Sequence, residues 1–172
     1  MSRIGWFVFG FLMAIVVFVV GGYVFITEGG VPMAASSAPL PLETTVAHMA
    51  LRAADKQARD TRDPLPVNDE NLVAGARLYH AHCDICHGVP GSPSDLEKLM
   101  FPIPPQLFEK DQMVTDDPEG ITYWKVTNGI RLSGMPGFGT LLSDSERWQL
   151  TMALAHADKL PEEARGVLAG TR

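Results

Sequence analysis

The chain has 172 residues, 46% of them hydrophobic and 20% charged, which leaves room for one compact domain plus an appendage. Its 14 basic and 20 acidic residues give a net charge of −6 at pH 7, and that balance excludes a nucleic-acid binder, which needs basic patches to neutralise phosphate. It has two cysteines, so one site that used both would leave none for a disulfide framework.

From Ile4 to Ile26 there is no charged side chain. As a helix rising about 1.5 Å per residue, this run is roughly 35 Å long and exceeds a hydrocarbon core of about 30 Å. It predicts a transmembrane helix within residues 1–27. A cleaved signal peptide is the competing reading; its apolar stretch is about 7 to 15 residues and ends at a small-residue cleavage site. The run is too long for that, although MAASSAP (Met33 to Pro39) offers small residues. Arg3 precedes the run and Glu28 is the first charge after it, so the positive-inside rule keeps the N-terminus in the cytoplasm and exports the rest. Without Arg3 the count is 13 basic against 20 acidic, a net of −7. Such a surface suits a partner with a basic docking face, and equally serves solubility.

Residues 28–65 read as a tether. The stretch TEGGVPMAASSAPLPL has Gly, Pro, Ala and Ser without apolar periodicity, and ETTVAHMALRAADKQARD reads as a solvated helical spacer that stops before Pro64. The folded domain is expected over residues 66–172. Asn68 is a good N-cap, with Asp69 and Glu70 in the first turn and Leu72, Ala76, Leu78 and Tyr79 as the apolar face. Ser94 and Glu97 form a capping-box pattern ahead of a short helix, SDLEKLM. FPIPPQL, with three prolines, is an extended loop. Asp116 or Asp117 with Pro118 opens the helix EGITYWKVTN, which Gly129 closes. GIRLSGMPGFGTL is a glycine-rich loop, and Ser143 with Glu146 caps a final helix, SERWQLTMALAHA. Strand signal is weak, so an all-α domain with long Gly/Pro loops is predicted. A domain this small has a thin core unless its loops wrap something.

The chemistry concentrates in HAHCDICH, His80 to His87. A zinc site wants four ligands, usually in two separated pairs; His82, Cys83, Cys86 and His87 are too close in sequence to surround one ion, and no second pair exists. Thioredoxin-like C-x-x-C follows a strand, whereas this motif follows a helix. C-x-x-C-H is also the attachment motif of c-type haem: Cys83 and Cys86 can each add across one porphyrin vinyl group, and His87 then lies under the iron. Attachment on the exported side agrees with the topology.

A six-coordinate iron needs another donor. The candidates are Met135, Met100, Met113, Met152, His48 and His156. Methionines are commonly core fillers, and Met152 has the helical spacing of one. His156 fits a solvated position or a bond to a helix C-terminal carbonyl. Met135, between Gly134 and Pro136, lies in a loop where a core stripe does not explain it and where a thioether can be held against iron.

Taken together, NLVAGARLYHAHCDICHG, TYWKVTNGIRLSGMPGFG and SDSERWQLTMALAHA resemble a class I cytochrome c with an N-terminal membrane anchor, over roughly residues 68–160. The resemblance implies a small all-α fold whose first helix crosses the last, with Gly75 permitting close approach and Tyr79 packing against the Trp148 helix. It implies one haem c, with Cys83 and Cys86 as thioether attachments, His87 as proximal and Met135 as distal iron ligand. It further implies a proline carbonyl that receives the proximal histidine's Nδ1 proton, a role for which Pro102, Pro104 and Pro105 compete. Tyr123 or Trp124 would line the haem pocket or occupy plain core positions.

Histidine–methionine ligation leaves no free iron position and raises the potential, so one-electron transfer is expected, with small transient interfaces. The expected partners are membrane redox complexes: a quinol-oxidising complex or dehydrogenase as donor, and a terminal oxidase or reductase as acceptor. The expected location is the inner membrane of a bacterium with the haem domain in the periplasm. A variant is a fixed subunit of an oxidoreductase, such as the small subunit of nitric oxide reductases. The transmembrane run has no G-x-x-x-G to indicate helix packing. A haem enzyme or gas sensor, with Met135 dissociating, is the rival class, and no distal acid–base group supports it.

Overall fold

The computed structural model describes residues 2–170. Among them are seven α-helices, one 3-10 turn and no strand beyond a single bridge between Val89 and Ser92. The chain divides into a unit of residues 1–44 and a unit of residues 45–172.

In the first unit, α1 (Arg3–Thr27) is long and apolar enough to cross a membrane. Ser2 caps it by accepting from the Gly5 amide, and Glu28 ends it. Membrane anchor and signal sequence both fit this helix.

The second unit is built on α3 (Asp69–His82). Asn68 accepts from the Asn71 amide at 2.9 Å, satisfying a donor that the first turn leaves free. Leu72, Val73, Ala76 and Tyr79 recur at three- and four-residue spacing and are buried, the pattern of a helix with one core face. That face packs on α6 (Asp144–Ala155) and α7 (Glu162–Leu168). Leu150 and Met152 from α6, and Ala164 and Leu168 from α7, complete the cluster at 1% exposure or less. Each buried Leu or Met contributes on the order of 2 kcal/mol. A Cβ on Gly75 would overlap the Gln149 carbonyl and stand 2.8 Å from the Ala153 Cβ, so α3 and α6 meet backbone to backbone there. On α6, Ser143 and Glu146 form the expected capping box. α5 (Glu119–Asn128) starts after Pro118, ends at Gly129 and packs on α6.

Three expectations change. First, the SERWQLTMALAHA helix is not the last: α7 follows it, with Pro161 before its first turn, Glu162 and Glu163 at its positive end and Ala164 and Leu168 inward. Second, SDLEKLM makes only a 3-10 turn, Glu97–Leu99, because the Ser94 hydroxyl donates to the Ile85 carbonyl and accepts from Leu96 rather than from Glu97. Third, the spacer helix is not solvated all round. It forms α2 (Glu43–Ala58), and Ala58 is buried. Its last turn lies on α5 where a Cβ on Gly120 would overlap the Ala58 carbonyl and meet the Thr61 carbonyl at 2.7 Å, and Asp55 pairs with Lys125 at 3.6 Å.

Gly75→Ala should therefore cost at least about 2 kcal/mol, since overpacking against backbone has no side chain to yield, whereas Ser143→Ala should cost about 1 kcal/mol; denaturant unfolding measures both. Asp63, between α2 and α3, has one carboxylate oxygen buried without a partner, and burial above all pushes its pKa up. A raised folded-state value means that its stabilising contribution is present below the ordinary carboxylate range and lost as pH rises through the folded value. Asp63→Asn, which keeps the oxygen that accepts from Leu65, should match the parent at low pH and be more stable at neutral pH in unfolding curves.

Candidate haem site

α3 delivers the motif. Its backbone breaks at Cys83, and the single turn α4 (Asp84–His87) follows. The Cys86 and His87 amides both donate to the Cys83 carbonyl, at 3.1 and 2.9 Å. Gly88 then turns the chain at φ +65°, a conformation that side chains disfavour. Tyr79, one turn before the motif, donates its hydroxyl to the Gly88 carbonyl at 2.7 Å and meets Phe108 edge-to-face. Core packing and motif geometry are thereby joined through one side chain.

His87 Nδ1 lies 2.7 Å from the Pro105 carbonyl. A carbonyl only accepts, so Nδ1 carries the proton and Nε2 keeps the lone pair, as a metal-ligating imidazole requires. Burial holds the His87 pKa below its ordinary value, against the opposing pull of that hydrogen bond, so the ring stays neutral. Of the three competing prolines, Pro105 makes this contact; the Pro104 carbonyl instead accepts from Gln106 at 3.1 Å.

Gln106 is a residue that sequence reasoning missed. It is 3% exposed. Its amide nitrogen donates to the Pro104 and Cys86 carbonyls, and its amide oxygen accepts from Ser94. One side chain thus joins the motif turn, the loop after it and the loop that presents Pro105. A Cβ on Gly88 would stand 2.6 Å from that amide oxygen. The signal available in the sequence was a lone amide directly after a proline run.

The loop that carries Met135 is folded back on the end of α5. Gly129, at φ +68°, would bring a Cβ within 2.7 Å of the Met135 carbonyl. The Ile130 amide donates to that carbonyl at 3.2 Å, and the Met135 amide donates to the Ser133 hydroxyl. Phe138 and Gly139 then donate to the Val126 and Thr127 carbonyls. Met135 is half-buried. The Met100 methyl packs against Gly134, so a second methionine reaches this loop. Met152 is fully buried in α6, and His156 Nδ1 donates to the Met152 carbonyl at 2.9 Å, the helix-end bond anticipated for it. His48 is exposed on α2.

Tyr123 and Trp124 lie side by side on α5. Tyr123 is half-buried, stacks on Trp148 of α6 with ring centroids 3.9 Å apart and bonds Asp144. Trp124 lines a cleft of about 290 Å³ with Gln57, Ala58 and Thr61, between α5 and α2. His80 pairs with Asp84 at 2.8 Å, and the His82 ring lies 5.9 Å from that of Phe138.

Cys83 and Cys86 are free, half-buried thiols. Burial first, and then the charges of Asp84 and Cys86, push the Cys83 thiol up to about 12, the opposite of an activated redox thiolate. Among the described residues no three His, Cys, Asp or Glu side chains converge as a metal cluster, against a zinc site. A haem fits better. Beyond Val67, the large apolar side chains left exposed are Ile85, Leu99, Phe101, Ile103, Leu132 and Leu141. All lie on the motif, the segment before Pro105 and the segments flanking Met135, where an apolar macrocycle would cover them.

Gln106→Leu should lower stability by roughly 1–3 kcal/mol through the carbonyl and amide groups it orphans, measured by thermal or denaturant unfolding.

Residues 70–152 match the family described as cytochrome c oxidase, cbb3-type, subunit III. The match runs from the first turn of α3 into α6, taking in the motif, Pro105 and Met135. None of the curated proteins compared with the chain matches it. The chain thus carries a cytochrome c domain, whose chemistry is haem-based electron transfer, and with its apolar N-terminal helix it fits a membrane-anchored monohaem cytochrome c.

Proposed function

We propose that the chain is a membrane-tethered one-electron carrier holding one covalently bound haem c, with α1 as a retained anchor, its N-terminus in the cytoplasm and the haem domain on the exported side. When bound, the haem supplies an iron that alternates between ferrous and ferric states. Cys83 and Cys86 would hold it through thioether bonds, and His87 and Met135 would ligate its iron. The observation that carries this reading is the His87–Pro105 hydrogen bond, which fixes the ring, its tautomer and its free nitrogen without help from any ligand.

The protein's part is positioning and shielding. Gln106 holds the proximal loops together, Gly129 lets the Met135 loop close on α5, and the apolar residues around both keep water away. Such a centre passes an electron between partners and transforms no substrate. Donor and acceptor are membrane redox complexes: a quinol-oxidising complex or dehydrogenase on one side, a terminal oxidase or reductase on the other. Small, short-lived contacts serve that purpose.

A second reading, a fixed subunit of a terminal oxidase, is favoured by the family description of the segment 70–152. Native separation of membranes solubilised in mild detergent distinguishes the two: a carrier migrates alone, and a subunit comigrates with its complex in fixed ratio. The weak long-wavelength ferric band of thioether-ligated haem should vanish in Met135→Ala and persist in Met100→Ala and His156→Ala. Rapid stoichiometric CO binding by the ferrous parent at neutral pH would count against the electron-carrier reading.

A further inference from the structure

Helix α2 has three sides. Leu51, Ala54, Asp55 and Ala58 are the positions withdrawn from solvent, and Asp55 and Ala58 are the ones seen on α5. At about 100° per residue, Val46, Met49, Ala50, Ala53 and Gln57 fall on a second stripe and Arg52 and Lys56 on a third, beside it, with Arg59 in the turn just past the helix. Val46 and Met49 are 61% and 64% exposed. The three basic residues are exposed and join none of the ion pairs among the described residues. The acidic residues of the helix are Glu43 in its first turn and Asp55, held by Lys125, and the exposed Asp60 follows Arg59 in the turn past its end. In a chain of net charge −6, this basic ridge bordering an apolar stripe is local and exceptional. It is the pattern of a helix lying on a membrane surface.

The length of the tether limits how far this face can lie from a bilayer that α1 would cross. Residues 28–42 separate α1 from α2, and a flexible linker of that length spans roughly 20 Å. α2 therefore starts close to the headgroups of the bilayer that α1 would cross.

We propose that the outward face of α2 seats on anionic lipid headgroups, with Arg52, Lys56 and Arg59 on the phosphates and Val46 and Met49 below them. The proposal rests on reading α1 as a retained anchor. Because α2 is packed on α5 at Gly120 and Lys125, this seat holds the haem domain at the surface rather than leaving it at the end of a loose tether.

The test uses the full-length, haem-loaded protein in nanodiscs of phosphatidylcholine alone or with phosphatidylglycerol added. Radical footprinting reads oxidation of Met49. Each basic residue near an anionic surface favours binding about fivefold, so Met49 oxidation should fall by roughly tenfold or more on anionic discs. High salt should restore it. The triple variant R52E/K56E/R59E should show no protection while keeping the parent's haem spectrum. Equal oxidation on both lipids overturns the proposal, as does protection that is indifferent to lipid charge or that appears only when a partner complex is added. Alkaline carbonate extraction separates this from failure of the anchor: a chain retained in the bilayer with Met49 unprotected sinks the α2 seat alone, whereas release of the parent chain sinks the anchor reading and the seat with it.

Discussion

Everything at the site depends on how closely α3 approaches α6. The missing Cβ of Gly75 lets the Gln149 backbone lie directly against it, and this contact fixes the rotation and depth of α3 in the core. α3 runs without a linker into Cys83 and the α4 turn, so the axis set by that contact also sets where Cys83, Cys86 and His87 emerge. Tyr79 strengthens the coupling, because its ring is buried in the core while its hydroxyl holds the Gly88 carbonyl. The motif is thus held from behind by the α3–α6 contact and from ahead by the turn at Gly88.

The surroundings of His87 are organised differently from those of Met135. Around His87, long-range hydrogen bonds do the work: Pro105 on the ring, Gln106 on three separate backbone groups. The bonds of Gln106 are buried or half-buried, and there a satisfied bond is directional and an unsatisfied group costly. Around Met135 the restraints are local, bonds within the loop and to the last turn of α5. His87 is held by distant segments and Met135 by its own loop and the end of α5, an asymmetry in the restraints on the two residues.

The sequence made the helical frame legible because its signals are local. The caps at Asn68 and Ser143, the closing Gly129 and the spacing of Leu72, Ala76 and Tyr79 each act within one or two turns, so residue type alone identifies them. C-x-x-C-H is legible for the same reason. What escaped were contacts between distant segments. Nothing in FPIPPQL distinguishes Pro105 from its neighbours until His87, 18 residues earlier, is set against it. Gln106 looks like any loop amide until the motif turn and the Ser94 loop meet around it. Tyr123 and Trp124 follow an apolar helical pattern that does not reveal their neighbours, Trp148 on α6 for the one and the end of α2 for the other. α7 was missed because seven residues after a proline carry little periodicity, and its burial comes from α3 rather than from its own composition.

The Ala58–Gly120 contact also defines a path for force. α5 is ten residues long, about 15 Å at the usual helical rise. Its first turn receives α2, and its last turn carries the loop of Met135. A pull on α2 enters the rest of the fold by two routes: across the Ala58–Gly120 contact into α5, and along the chain through residues 59–68 into α3. The first route ends at the loop of Met135 and the second at the Cys83–His87 turn, so both segments of the candidate site are loaded from the same helix.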